Sequence, residues 1–225
     1  MKQELSKEAS VADKSLKSEL ALFKRRRIRE EAARLFFSQG YENSSIDAIA
    51  ERLQVTKPFI YSYYKNKGEI LYDISRLGIS ESLKVLDECL AVSGSSWDRL
   101  KMIVDRVTRL ILDNDESIVV YLREEKNLEP HRAREIREMR SLFDHRLSSL
   151  IEEGNTMGVF AVEDPALAAN TISGMMSWVV LWFHRDGHWS EAEVISTLIK
   201  NVSRIVETSA QQRDDSMMAV AGSAS

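Results

Sequence analysis

The chain has 225 residues, a formal charge of −4, 44% hydrophobic and 29% charged residues, and a single cysteine, Cys89. That length suffices for one large or two smaller cores, while one cysteine excludes an intrachain disulfide and argues against a cysteine-built metal site. The N-terminus lacks an apolar core of signal-peptide length. The most apolar segment, 167 to 183, is interrupted by Asn170, Thr171, Ser173 and Ser177 and falls short of the ~20 residues a bilayer requires, so a cytoplasmic protein without a membrane partner is expected.

Residues 1 to 20 read as a mobile or weakly helical arm. From Lys24 an amphipathic helix presents Ile28, Ala32, Leu35 and Phe36 on one stripe and ends at Gly40, suited to a left-handed cap. Ser44 and Ser45 can cap a short second helix, about 46 to 53, in which Ile46, Ile49, Ala50 and Leu53 share a face. Gln54 and Val55 turn the chain, Thr56 can cap again, and Pro58 falls in the first turn of a third helix, about 57 to 63. Two short helices over 44 to 63 thus form a helix-turn-helix pattern. On the third helix Ile60 and Tyr64 face inward, leaving Lys57, Phe59, Tyr61, Ser62 and Tyr63 outward or near the N-terminal end, with Lys65 and Lys67 beyond them. Such a set suits a major groove, where a helix reads base edges near its N-terminus while hydroxyls and lysines hold phosphates. The same spacing also fits two short core helices followed by a solvated basic loop. Residues 21 to 81 hold 11 Lys and Arg against 8 Asp and Glu, a charge of +3 that leaves −7 for the rest. This asymmetry concentrates attraction for phosphate at that end of the chain.

Further helices are predicted over 67 to 91, 96 to 114, 116 to 126, 130 to 154, 164 to 185 and 190 to 208, followed by a disordered tail over 209 to 225. No strand-like alternation stands out, so the class is all-α. In the 130 to 154 segment Ile136, Met139, Phe143, Leu147 and Leu150 mark a buried face, and Arg140 and Arg146 border it. Those arginines suit either a solvated cationic face or the edge of an anion-binding pocket. In the 164 to 185 segment Met175, Trp178 and Trp182 offer an adaptable apolar surface, which suits a ligand cavity, plain core or a subunit interface.

The run AARLFFSQGYENSSIDAIAERLQVTKPFIYSYYKNKGEIL resembles the TetR family of transcriptional regulators over residues 21 to 81. Four motifs carry the likeness in combination: A-x-x-L-F followed by G-Y, S-I-x-x-I-A, V-T-K-P-F-I-Y-x-Y-Y and K-N-K-x-E-I-L. The resemblance implies an N-terminal three-helix DNA-binding domain over 21 to 81 and a C-terminal helical ligand-binding and dimerisation domain over 82 to 208. It implies that Ser45 holds a phosphate, that Lys57 and Pro58 meet bases, that Tyr61 reaches a base or methyl group, and that Tyr63 and Lys67 contact the DNA backbone. Phe59 departs from the small hydroxyl residue common in the family. The last two long helices are implied to pair across a two-fold axis, giving a homodimer whose recognition helices, ~34 Å apart, read a palindromic operator. Repression is the family's habit, and ligand entry is expected to displace the 67 to 91 helix and so weaken DNA binding.

Residues 115 to 200 are similar to the branch of that family that controls fatty-acid, sterol or aromatic-acid catabolism. This implies no bound cofactor and an acyl-CoA thioester as effector. The acyl part is then expected among Met139, Phe143, Met175, Trp178 and Trp182, with Tyr121 and Arg123 near the mouth and Arg140 or Arg146 pairing with CoA phosphates. Two other readings are weighed. One is a DNA-binding adaptor with no effector. The other is a helical enzyme, which finds little support: no phosphate loop, nucleophile elbow or HExxH motif is present, Glu124 and Glu125 diverge on a helix, and His184 and His188 flank Gly187 in a poor setting for a metal pair. No catalytic or metal-binding residues are assigned.

Overall fold

A computed structural model describes residues 2 to 207, with side chains from 16 onward. The disordered tail expected over 209 to 225 lies outside the described residues. Among those described the chain is all-α, with helices α1 Lys2–Gln39, α2 Ile46–Arg52, α3 Lys57–Tyr61, α4 Lys67–Leu90, α5 Ser96–Asp113, α6 Asp115–Glu124, α7 Pro130–Thr156, α8 Pro165–Trp178 and α9 Glu191–Val206. Short 3-10 turns follow α6 at Glu125–Asn127 and α8 at Val179–Leu181. Residues 2 to 20, read from the sequence as a mobile or weakly helical arm, continue α1 as helix. The reason is local: no Gly or Pro occurs before Gly40, and Ala, Leu, Glu and Lys dominate the segment.

The chain divides into two compact units. The first comprises residues up to Ser75 together with Val120–Glu129, and the second comprises Arg76–Val119 and the residues from Pro130 on. The chain therefore passes between units within α4 and again within α6. In the first unit Ile28, Leu35 and Phe36 of α1, Ile49 of α2, Ile60 of α3 and Ile70, Leu71 and Ile74 of α4 are almost wholly buried. The second unit has a core of α5, α7, α8 and α9 residues, among them Leu100, Val104, Leu147, Ile172, Met176 and Val202.

Two helix ends differ from the periodic reading. Helix α3 stops at Tyr61, where Ser62 caps it and returns its hydroxyl to the Phe59 carbonyl at 2.7 Å. Helix α8 stops at Trp178 instead of continuing to 185: the chain tightens to a 3-10 turn, and Trp182 N–H donates to the Val179 carbonyl at 3.2 Å. The polar run from His184 that contains Gly187 follows.

Candidate nucleic-acid interface and effector cleft

Ser45 is the N-cap of α2, its hydroxyl accepting from the Ala48 N–H at 3.1 Å, while the neighbouring Ser44 is buried and donates to the Gly40 carbonyl at 2.7 Å. The tight turn into α3 depends on Gln54, which adopts φ 56°, a left-handed conformation that costs a residue with a Cβ roughly 1 to 2 kcal/mol. Val55 N–H then closes the turn on the Ala50 carbonyl at 2.9 Å. Thr56 takes the N-cap position of α3, but its side chain makes no cap hydrogen bond, and Pro58 occupies the first turn.

Around this turn Ser45, Lys57, Pro58, Tyr61, Ser62 and Lys65 are exposed, whereas Phe59, Tyr63 and Lys67 are half-buried. Lys57 Nζ lies 2.8 Å from Asp47 Oδ2, an ion pair that joins the start of α3 to the first turn of α2 and raises the lysine pKa. Phe59 leans on Tyr63 with ring centroids 5.3 Å apart, and Lys24 of α1 stands 5.8 Å over the Phe59 ring. Lys67 donates to the carbonyls of Tyr41 at 2.7 Å and Ser44 at 3.0 Å and lies 4.0 Å from the Tyr41 ring centroid. Two of its three donors thus hold the start of α4 to the entry of α2. We expect Lys67→Ala to lower stability by about 1.5 kcal/mol as well as any affinity for DNA; thermal melting unchanged by the substitution would refute the clamp.

Behind this surface, Tyr64 donates its hydroxyl to Asp73 Oδ2, which also lies 3.1 Å from Arg25 Nε and 3.9 Å from Arg29. The Arg25 guanidinium stacks 4.4 Å from the Tyr64 ring centroid. Burial first, then the hydrogen bond to Asp73 and its negative charge, push the Tyr64 pKa upward. Helices α1 and α4 and the end of the turn after α3 are locked together by this network.

In the second unit α4, α5, α7 and α8 line an open cleft of about 120 Å³. Its walls include Ile79, Val107, Ile111, Phe143 and Met176, with Arg140, Asp144, Asn170 and Ser177 adding polar groups. Two features favour occupancy by a ligand. A Cβ on Gly174 would meet no atom within 4 Å, and Ser173 Oγ is buried without a hydrogen-bond partner among the described residues, a state that native proteins seldom leave uncompensated.

Residues 28–74 match the bacterial regulatory proteins of the tetR family, and residues 93–206, half of the chain, match the tetracyclin repressor-like C-terminal domain. The chain belongs to the TetR family. A TetR/AcrR-family transcriptional regulator from Thermobifida fusca shares 31% identity at a TM-score of 0.65, covering 79% of this chain and 95% of that one. PfmR, a TetR-family regulator from Thermus thermophilus, shares 28% identity at a TM-score of 0.73, covering 81% and 98%. The fatty acid metabolism regulator protein of Bacillus subtilis (strain 168) is 25% identical over 159 residues, 69% of this chain and 81% of that protein. As a TetR-family protein this chain is a ligand-responsive DNA-binding regulator and not an enzyme. Among the described residues, no helix is long and apolar enough to cross a membrane, and no group of three or more His, Cys, Asp or Glu side chains is placed to hold a metal ion.

Of the effector residues expected for this TetR-family regulator, Arg140 and Phe143 line the cleft. Met139 and Met175 are partly buried against the core of the second unit. Arg146 is engaged by Asp87 in an ion pair. Trp178 and Trp182 do not line this cleft and are 61% and 42% exposed; Trp182 instead meets Trp189 edge-on, with ring centroids 6.3 Å apart, beside Val194 and Leu198 in a second cleft. Tyr121 and Arg123 belong to the first unit, where Tyr121 is buried and the Arg123 guanidinium lies 5.5 Å from the Phe37 ring centroid. Sequence reasoning read Glu124 only as diverging from Glu125 and missed that its carboxylate accepts from Tyr41 N–H at 3.3 Å and from Asn127 Nδ2 at 2.8 Å. It also missed Ser173 and Gly174 as lining residues, although both stand in the apolar segment it singled out.

Proposed function

We propose that this TetR-family regulator is a homodimeric repressor of a palindromic operator, released when an acyl-CoA or aromatic-CoA thioester enters the α4–α5–α7–α8 cleft. The observation that carries the effector half is the cleft itself, where an apolar wall, an arginine and the unpartnered Ser173 hydroxyl converge on open space beside Gly174. A thioester has both parts of the matching chemistry: an acyl or aryl group for Ile79, Val107, Ile111, Phe143 and Met176, and anionic phosphates for Arg140. The cavity volume of about 120 Å³ is smaller than the roughly 300 to 1,000 Å³ of small-molecule sites, so a ligand would seat only a short acyl or aryl end there or widen the cleft on entry. The bulk of CoA would then lie outside the cleft. The kinship with a fatty acid metabolism regulator supports the same class.

For the DNA half, Ser45, Lys57, Pro58, Tyr61, Ser62 and Lys65 supply an exposed set of hydroxyl, cationic and aromatic groups at a helix-turn-helix. Dimerisation is supported by the large apolar side chains left exposed on and after α8, namely Leu167, Trp178, Leu181, Trp182 and Trp189, since apolar surface of this kind marks protein contacts. On this reading Trp178 and Trp182 serve the subunit interface, one of the alternatives their apolar surface left open in the sequence.

Fluorescence anisotropy on duplex DNA from upstream of its own gene, titrated with CoA thioesters of graded acyl length and with the matching free acids, tests both halves. We expect specific binding that one thioester class weakens about 5- to 150-fold, and we expect Gly174→Trp, which fills the cleft, to abolish that release while DNA binding persists. Specific binding indifferent to every thioester would discard the effector class and favour an effector-independent adaptor.

A further inference from the structure

The ion pair between Asp47 and Lys57 is unusual in its placement: it sets a carboxylate two residues from Ser45 and directly against the lysine expected to meet bases. We propose that Asp47 is a specificity-determining residue, which holds the Lys57 ammonium so that it reads neutral base edges in the operator and is withheld from phosphates in general. This inference rests on the DNA-reading assignment above.

Lys57 and Asp47 side chains are 46% and 66% exposed at a separation of 2.8 Å, so the pair lies in solvent on the surface that would face a duplex. An ammonium carries three donors. With one directed to Asp47, the others remain for acceptors such as O6 and N7 of guanine, which are uncharged and tolerate the neighbouring carboxylate. A phosphate is different. Lys57 would have to exchange one anion for another, and Asp47 would be left unpaired beside the most anionic part of the DNA, so the exchange yields little. Contact with arbitrary sequence is thereby disfavoured more than contact with the operator. Lys24, Lys65 and Lys67 do not share this restraint: Lys24 stands over Phe59, Lys67 is directed to carbonyl oxygens, and Lys65 is exposed.

The test is Asp47→Asn in the full chain, measured on duplex DNA from upstream of its own gene and on random-sequence duplex across a range of salt concentrations. Because the residue is exposed, its melting temperature should match that of the wild type. We expect affinity for random duplex to rise about 3- to 10-fold at low salt, with a salt dependence steeper by about one released counterion. Affinity for the specific duplex should change about twofold or less, so the specificity ratio falls. In a Lys57→Gln background the same Asp47→Asn change should leave the ratio unaltered. A ratio unchanged in the wild-type background, or lowered equally in the Lys57→Gln background, overturns the proposal while leaving the DNA-reading assignment in place. If the wild type shows no preference for its upstream duplex at any salt concentration, that assignment fails, and the proposal with it.

Discussion

Gly154→Ala is expected to destabilise the second unit by about 1 to 2 kcal/mol net, although alanine is the better helix former and the position lies inside α7. A Cβ at this site would stand 2.0 to 2.8 Å from three atoms of the Phe160 ring. The ring cannot simply swing away. Phe160 is buried, and both its own N–H and that of Val159 donate to the Gly154 carbonyl, at 3.1 and 2.9 Å. Asn155 further fixes the loop by exchanging two hydrogen bonds with the Val162 backbone. The helix gain of about 1 kcal/mol is therefore outweighed by overpacking or by loss of the Phe160 contacts. Urea denaturation would show the effect as a lower midpoint. In a Phe160→Ala background the alanine at 154 should cost nothing or stabilise slightly, and a persisting cost there would contradict the steric account.

Asp73→Ala is the second substitution expected to act strongly, at about 2 to 3 kcal/mol in the DNA-reading unit. It removes the nearer acceptor of the buried Tyr64 hydroxyl, leaving only the Arg25 carbonyl at 3.3 Å, and the counter-charge of Arg29 and Arg25. The Arg25 share is discounted because its side chain is 39% exposed and screened by water. Tyr64→Phe, which deletes the donor but leaves both arginines paired, should cost less. The raised Tyr64 pKa adds a pH signature. In the unfolded chain the phenol ionises near 10.0, and in the folded chain only above that. Its contribution to stability is thus complete below the unfolded value and lost as pH rises past it, by up to about 1.4 kcal/mol per pH unit. Tyr41, whose pKa is raised by burial and by Glu42, Glu124 and Glu129, acts in the same direction. Denaturation midpoints measured between about pH 9 and about pH 11 should fall more steeply for the wild type than for Tyr64→Phe. Parallel curves would show that Tyr64 ionises freely in the folded protein.

Local sequence suffices for the all-α class, the helix-turn-helix, the Ser45 cap and the inward direction of Ile60 and Tyr64. Each follows from residues within about a turn of one another, where hydroxyl, proline and apolar spacing act through the backbone alone. The rest emerges only in the packed chain. Arg25 and Asp73 are 48 residues apart, Tyr41 and Glu124 are 83 apart, and no periodicity announces either pairing. Arg140 and Phe143 were legible as cleft residues because Phe143 stands within a long apolar stripe on α7 and Arg140 borders it. Ser173 and Gly174 became lining residues only once α8 packed against its neighbours, and Trp182, beyond the end of α8, meets Trp189 instead of lining this cleft. Gly154 is a helical position kept small by a ring six residues later. Periodicity states which face of a helix is apolar, whereas the identity of the group that covers that face depends on non-local packing, which local sequence does not encode.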